Sequence, residues 1–334
     1  MHKKHFIGAV AALSVSVAAG TGSAADFPSK DIQGVIMWGA GGGTDVVSRA
    51  VTPMAEDALG KSIVLVNKPG GTGAIATLYV NSRPSDGHTL LYGAENPQLY
   101  KVLKLAEIDY ADFYPVNVLA RGLAVIAVKA DAPWKTLPDL IADMQKRPGE
   151  IKMGTTGIGG LPHTIGSMLK TVIDFDATAV PFDGDGPGTT ALMGGHVDFF
   201  PVALGAAAEH IKAGRVRALA VVNDEPVASL PGVPPITEAY PEFAKYLPWG
   251  PFYGVFAKRD IPDDAKQVLT AAFKKAADTP KFAGMMESRG NVMMNISGAE
   301  ADAFLKKWQS VGTWILHGVG ATKESPEKFG IPKP

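Results

Sequence analysis

Four stretches of this chain have the composition of an anion cradle. They are Gly39-Ala40-Gly41-Gly42-Gly43-Thr44-Asp45, Pro69-Gly70-Gly71-Thr72-Gly73, Gly154-Thr155-Thr156-Gly157-Ile158-Gly159-Gly160-Leu161-Pro162-His163, and Asp183-Gly184-Asp185-Gly186-Pro187. Each follows a β-rich run and opens a helical one. Glycine lets successive N–H groups turn inward with no Cβ in the way, and a helix N-terminus adds roughly half a unit of positive charge. The product is an anion site made of backbone amides. Tight α/β packing uses such loops too, but four on one chain point to a small anionic ligand. Side chains with chemistry of their own stand beside them. Asp45 reads as a helix cap or as an acceptor in a cleft. Glu95, Asp183 and Asp185 sit at strand ends, where turn residues and ligand contacts both occur. His163 falls on the first turn of a helix, facing solvent or a hinge, or else a carboxylate. Trp38, Phe182, Phe200, Trp249 and Tyr253 wall a site or fill the core.

The sharper catalytic patterns are missing. Residues 39–44 displace the third glycine of a dinucleotide fingerprint, and the following strand ends in Asn67-Lys68, with no acid for a ribose. There is no Gly-x-x-x-x-Gly-Lys-Ser/Thr, no Gly-x-Ser-x-Gly elbow and no His-Glu-x-x-His. His88, His163, His196, His210 and His317 have no metal-ligand spacing. No nucleophile–base pair can be assembled, so neither a cofactor, a metal nor an enzymatic activity is expected.

The elements that must position the loops alternate in type, which predicts α/β lobes. Strands are expected at 35–38, 63–66, 89–92, 123–128, 177–180, 197–200, 218–222 and 253–257. Helices are expected after each glycine loop, from Thr136, over about 263–278 and over 298–317. Thr44 or Asp45 should cap the first of them and Gly60 should end it. Pro231 to Pro251 is proline-rich without a period and reads as a long loop crossing between lobes.

At 334 residues the chain is long enough for two domains. Lys+Arg is 32 and Asp+Glu 33, so no basic surplus exists for nucleic acid. Cysteine is absent, which removes disulfides, thiol catalysis and Cys-ligated metal. Residues 1–25 have a positive start (Lys3, Lys4), an apolar middle (Phe6 to Leu13) and a small-residue end (Ser23-Ala24-Ala25), as a cleaved export signal does. Their removal leaves 30 basic and 33 acidic side chains, a net charge of −3. The mature protein is expected outside the cytoplasm, in the periplasm of a Gram-negative host.

The ordered set of motifs resembles the extracytoplasmic receptors of tripartite tricarboxylate transporters, the Bug or TctC family. It runs from Phe27-Pro28-Ser29-Lys30-Asp31-Ile32 through Gly41-Gly42-Gly43-Thr44-Asp45, Asn67-Lys68-Pro69-Gly70-Gly71-Thr72-Gly73 and Pro84-Ser85-Asp86-Gly87-His88-Thr89-Leu90-Leu91. It continues through the 154–163 loop, Leu192-Met193-Gly194-Gly195-His196-Val197-Asp198, the segment from His210 to Ala220, and Leu230-Pro231-Gly232-Val233-Pro234-Pro235-Ile236-Thr237-Glu238. The resemblance implies a two-lobed type II periplasmic-binding-protein fold, with residues 26–121 and 249–334 as one lobe, 122–248 as the other, and the ligand between them. It implies a monomer that binds a small carboxylate and hands it to integral-membrane transporter subunits without chemistry on the ligand. By position, the site would draw on Trp38, Ala40, Gly41, Gly43, Thr44, Asp45, Thr72, Ala94 and Glu95 in the first lobe. Thr155, Thr156, Gly157, Gly159, Gly160, His163, Phe182, Asp183 and Phe200 would serve from the second.

Two departures from the family pattern bear on the ligand. Val180-Pro181-Phe182-Asp183-Gly184 stands where members often carry Val-Pro-Tyr-Lys-Gly, and Asp198-Phe199-Phe200-Pro201-Val202-Ala203 where many carry Asp-Phe-Met-Phe-Asp-Ser. An acid replaces a base at one cleft position, an apolar residue replaces an acid at another, and Glu95 adds charge near the mouth. This favours a ligand with a donor group (amine, amide or hydroxyl) and disfavours a highly charged tricarboxylate. The same closing fold would also suit a sensing partner of a signalling receptor, and a secreted hydrolase is the remaining alternative.

Overall fold

The first strand, Ile32–Ile36 (β1), is buried along almost its whole length, as a strand covered on both faces must be. The computed structural model describes residues 27–247 and 249–334; the expected export signal, residues 1–25, lies outside them. In chain order β1 is followed by Gly43–Leu59 (α1), Ile63–Asn67 (β2), Ala74–Asn81 (α2), Thr89–Gly93 (β3), Tyr100–Leu103 (α3) and Phe113–Arg121 (β4). Then come Ala124–Lys129 (β5), Leu137–Lys146 (α4), Lys152–Thr155 (β6), Leu161–Lys170 (α5), Thr178–Pro181 (β7), Asp185–Met193 (α6), Phe199–Ala203 (β8), Leu204–Lys212 (α7) and Val216–Val221 (β9). Ile236–Ala239 (α8), Phe252–Lys258 (β10), Asp263–Ala277 (α9), Pro280–Ser288 (α10), Val292–Ile296 (β11) and Gly298–Gly318 (α11) complete the chain.

The strands form two sheets, each carrying one lobe. The first has the order β11-β4-β10-β3-β1-β2, the second β7-β6-β8-β5-β9. β1 pairs parallel with β2 and β3, and β6 with β7 and β8, while β10 and β5 run antiparallel to their neighbours. The first sheet therefore uses residues 32–121 and 252–296, and the second 124–221. The chain passes between them twice, and the two passages touch: the Gly122 N–H donates to the Pro251 carbonyl at 2.8 Å. A Cβ on Gly250 would come within 2.5 Å of the Gly122 carbonyl oxygen, so the crossing is a close backbone-to-backbone joint.

Three features differ from the sequence expectation. β4 and β11 are additional strands. β4 contains Pro115 and Asn117, which suit an edge better than a central strand, yet it lies between β10 and β11. Its pairing with β10 is irregular, with register shifts between Tyr253 and Gly254 and between Val255 and Phe256. Such irregularity tolerates proline, and Asn117 donates across to Asn295 at 2.7 Å. Second, the segment 231–251 is not simply a loop: α8 and a turn of 3-10 helix at Pro241–Tyr246 bury Ile236 and Phe243. Third, neither Thr44 nor Asp45 caps α1. Gly42 does, with no side-chain bond to the helix N–H groups, while Gly60 ends α1 in the left-handed conformation at φ 65°.

Candidate functional site

The starts of three helices converge where the lobes face each other. α1 begins after Gly42, α5 after Gly160 and α6 after Gly184, and none of these glycine caps supplies a side chain to the helix N–H groups. Away from the cleft the chain does provide such caps, Thr136 for α4 and Thr279 for α10. The first turns at the cleft thus keep N–H donors that no capping side chain satisfies.

The space between the lobes has two parts. An inner cavity of about 30 Å³ is lined by Trp38, Gly42, Gly43, Thr44, Ala94, Glu95, Thr156, Leu161, Asp185, Ala203, Pro251 and Tyr253. An outer vestibule of about 620 Å³ is lined by Trp38, Gly70, Gly71, Thr72, Leu105, Thr156, Gly157, Ile158, Pro181, Phe182, Asp183 and Pro187. Trp38 and Thr156 border both. Neither lining contains Lys, Arg or His, so an anion here meets amides and helix dipoles rather than a cationic side chain.

The lobes are latched shut over this space. The Gly39 N–H donates to the Asp183 carbonyl at 2.8 Å, the Thr72 hydroxyl to the Ile158 carbonyl at 2.8 Å, and the Asn96 amide to the Gly159 carbonyl at 2.9 Å. Thr72 makes its bond from a left-handed backbone at φ 56°, a conformation uncommon for a β-branched residue. Its own carbonyl is fixed by the Tyr100 hydroxyl at 2.9 Å. On the far side of the cleft the Ala40 carbonyl packs so closely on Gly186 that any Cβ there would collide with it.

Two acids face the inner cavity. Glu95 is 3% exposed. Its Oε1 meets the Asn96 amide at 3.5 Å, and its Oε2 has no partner at hydrogen-bond geometry. Burial pushes its carboxyl up to about 7, opposed by the backbone N–H groups of Glu95 and Phe252 and by the Asn96 amide, while the neighbouring charge of Asp185 adds to the rise. Burial likewise raises Asp185 to about 7, opposed by the Ala203 N–H that its Oδ2 accepts at 3.3 Å. Tyr253, also 3% exposed, brings its hydroxyl to the same cavity without a partner, and burial holds that phenol well above its usual range.

The residues expected from sequence divide into three groups. Trp38, Gly43, Thr44, Ala94, Glu95 and Thr156 line the inner cavity, and Thr72, Gly157, Phe182 and Asp183 the vestibule. Ala40, Gly41, Asp45, Thr155, Gly159, Gly160 and His163 line neither and instead build the loops that do. Asp45 is buried; its Oδ2 accepts the Gly41 N–H at 3.0 Å, and its Oδ1 accepts Arg49 and Asn67, each at 2.9 Å. It braces the 39–42 loop from behind, and neither caps the helix nor reaches the cleft. His163 has the same role opposite: its Nδ1 accepts the Gly159 N–H at 3.2 Å, and burial lowers its pKa, with Lys170 adding to the effect. Thr155 accepts the Phe182 N–H at 2.8 Å and Gly160 accepts the Thr164 N–H at 3.0 Å. Phe200 belongs to the core, fully buried, its ring filling the space that Gly154 and Gly188 leave. β8 is buried along its whole length, so alternation along the strand does not separate a cleft-facing side chain from a core one. Asp185, open in sequence between turn residue and ligand contact, and Tyr253, open between site wall and core, both line the inner cavity beside Glu95, Thr44 and Thr156.

Residues 47–310 match the tripartite tricarboxylate transporter family receptor model. The chain belongs to this family. Among its relatives, BugT of Bordetella pertussis is 29% identical, covering 80% of this chain and 86% of its own. A Bordetella bronchiseptica UPF0065 protein is 32% identical over 70% of this chain and 69% of its own. Of solved structures, the periplasmic binding protein BugD superposes with a TM-score of 0.84 at 24% identity, over 89% of this chain and all of its own. MatC from Rhodopseudomonas palustris with bound malate gives a TM-score of 0.79 at 26% identity, over 88% of this chain and 100% of its own. A second R. palustris protein, solved with adipate, gives 0.80 at 26%, over 88% and 99%. The family is one of periplasmic solute-binding receptors, and the two-lobed α/β fold expected from sequence is the fold of these neighbours.

Proposed function

We propose that this receptor captures a small carboxylate in the periplasm by closing its lobes, and delivers it unaltered to integral-membrane transporter subunits. The observation that carries this reading is the convergence of three glycine-capped helix starts, drawn from both lobes, on one latched cleft without a basic side chain. A carboxylate loses its water on entering such a space and must recover hydrogen bonds. The free amides of α1 and α5, with Thr44 and Thr156, supply donors on opposite walls. A ligand touching both walls favours the closed state by its differential affinity, and the latches at Gly39, Thr72 and Asn96 form only in that state. The malate and adipate bound by two structural neighbours support the ligand class, and family membership supports the transporter partner.

Thermal unfolding with a panel of small mono-, di- and tricarboxylates tests the reading. A ligand at a hundred times its Kd stabilises by about 2.7 kcal/mol, so the correct class raises the melting temperature by several degrees. Loss of labelled-ligand uptake on deletion of the gene checks the transport role. A panel that moves nothing at millimolar concentration overturns the carboxylate assignment, and uptake that survives deletion overturns the transport one.

A further inference from the structure

Three polar side chains behind the cleft form a closed ring. Arg49 Nε donates to Asp45 Oδ1 at 2.9 Å, Arg49 Nη2 to Asn67 Oδ1 at 2.8 Å, and Asn67 Nδ2 to Asp45 Oδ1 at 2.9 Å. Asp45 and Arg49 lie one turn apart on α1, and Asn67 is the last residue of β2. Two arms leave the ring for the backbone of the first glycine loop. Asn67 Nδ2 also donates to the Trp38 carbonyl at 2.9 Å, and Asp45 Oδ2 accepts the Gly41 N–H at 3.0 Å. The arms hold positions 38 and 41, on either side of Gly39, which donates to the Asp183 carbonyl, and of Ala40, whose carbonyl meets Gly186. On its other side Asn67 runs directly into the second glycine loop, where the Lys68 N–H is anchored on the Ile36 carbonyl at 2.9 Å. Gly70, Gly71, Thr72 and Gly73, all at positive φ, give that loop its shape, and Thr72 donates from it to the Ile158 carbonyl. Burying a carboxylate such as Asp45 is expensive unless its oxygens are bonded, and an ionised acceptor makes the stronger hydrogen bonds. Here that bonding is directed at the two loops that carry the first lobe's latches at Gly39 and Thr72. Glycine-rich loops are otherwise free to adopt many conformations, and ordering them in advance removes that cost from binding.

We infer that Asp45, Arg49 and Asn67 are positioning residues for capture: they join the two glycine loops of the first lobe into one rigid jaw, so that its latches at Gly39 and Thr72 make and break together. This rests on the lobe-closure reading and deepens it. None of the three touches the ligand space; they act through the backbone at Trp38 and Gly41 and through the start of the 68–73 loop.

Amide hydrogen exchange on the ligand-free protein reads the jaw directly. Asp45→Asn keeps the shape but turns an amide N–H₂ either toward the Gly41 N–H or toward Arg49 and Asn67. Exchange should rise more than about tenfold at Gly41, and at least about threefold at Lys68 and Gly73 in the second loop, which Asp45 does not touch. Amides of β10 and α9 should keep their wild-type rates and so report an intact fold. A rise confined to residues 39–43 overturns the jaw. Should Asp45→Asn fail to fold, Asn67→Ala carries the test in the other direction: it leaves Gly41 on Asp45, yet exchange at Gly41 should still rise at least about threefold, and an unchanged Gly41 overturns the jaw. Titration calorimetry with malate and with adipate then reads the latches. Thr72→Ala should weaken binding about fivefold in the wild-type background but less than about twofold in Asp45→Asn, where its latch is already disengaged. Equal losses in the two backgrounds overturn joint action of the latches and leave lobe closure standing. If neither acid binds, that counts against the carboxylate reading alone, and the exchange pattern decides the jaw.

Discussion

The two ends of the cleft are built on opposite plans. The inner cavity is small, bounded by three helix starts, and set with the buried Glu95, the half-buried Asp185 and an unpartnered phenol. The vestibule is some twenty times larger, and its polar side chains, Thr72, Thr156 and Asp183, are spread among apolar surface and backbone from Gly70, Gly71, Leu105, Ile158 and Phe182. A narrow, polar, desolvated space discriminates sharply, because a wrong group leaves buried acceptors unpaired. A wide space discriminates weakly among the apolar parts of a ligand, by about 1–3 kcal/mol per methylene at most. The inner end should therefore set which functional group is accepted, and the outer end how long a ligand is tolerated.

The strongest way to break this contrast is to stop the ends from forming at all. Gly186 lies against the Ala40 carbonyl with no room for a Cβ, and a Cβ there would also come within 2.9 Å of the Gly42 nitrogen. Gly186→Val is expected to hold the lobes apart and abolish measurable binding, a loss above about a hundredfold, or roughly 2.7 kcal/mol or more. The melting temperature of the free protein should stay within a few degrees of wild type, because the collision is between lobes and not within a core. Titration calorimetry and thermal unfolding check the two halves. Retained affinity would show that closure at α6 is not required.

A pH series sharpens the inner half. Glu95 and Asp185 hold their protons more tightly in the folded protein than in the unfolded chain, at about 7 against ordinary values of 4.5 and 3.8. Stability from this source is fully present below those ordinary values and is lost as pH rises through about 7. The ligand-free protein should lose about 2 kcal/mol between pH 5.5 and 8 from Glu95 alone, a few degrees of melting temperature. His163 and His210, which burial holds below 6.5, push the opposite way, so the readout is the difference between wild type and Glu95→Gln. The variant should show the shallower fall. Equal slopes would mean that Glu95 is ionised throughout the range.

How much of this the sequence shows depends on which feature is asked for. The alternation of strands with glycine-opened helices is a local pattern that shows the α/β class and the four glycine loops, whereas the two-lobed arrangement follows from the resemblance to the family. β4 was missed because its irregular pairing with β10 leaves a proline in the middle of a central strand, and no local rule separates that from a loop. At the candidate site, Glu95 is legible because strand ends border the crevice in open α/β sheets, and Thr156 because its loop matches the family pattern; both line the inner cavity. Asp45 and His163 occupy equivalent positions, yet both turn back to brace their own loops at Gly41 and Gly159. That choice depends on Arg49, on Asn67 and on which N–H is left free, none of which spacing encodes. Phe200 illustrates the limit from the other side: in a strand covered on both faces, an aromatic residue facing the cleft and one facing the core look the same.

The outer half of the contrast gives the smallest expected effect. Phe182 is half-buried beside Ile158 and Leu105 at the vestibule, and its N–H is tied to Thr155 at 2.8 Å. That backbone bond keeps the 182–185 loop in place whatever the side chain is. Phe182→Ala should therefore remove apolar contact without disturbing the Gly39–Asp183 latch or Asp185. If the vestibule only accommodates length, the shortest ligand should lose less than about threefold in affinity, since partial burial of one ring edge is worth under about 1 kcal/mol. Longer homologues, which reach the wall, should lose progressively more. Calorimetry on a series of increasing chain length checks this: a loss that grows with length supports division of labour between the two ends. A large, length-independent loss would place Phe182 with Glu95 among the groups that recognise the ligand's polar end.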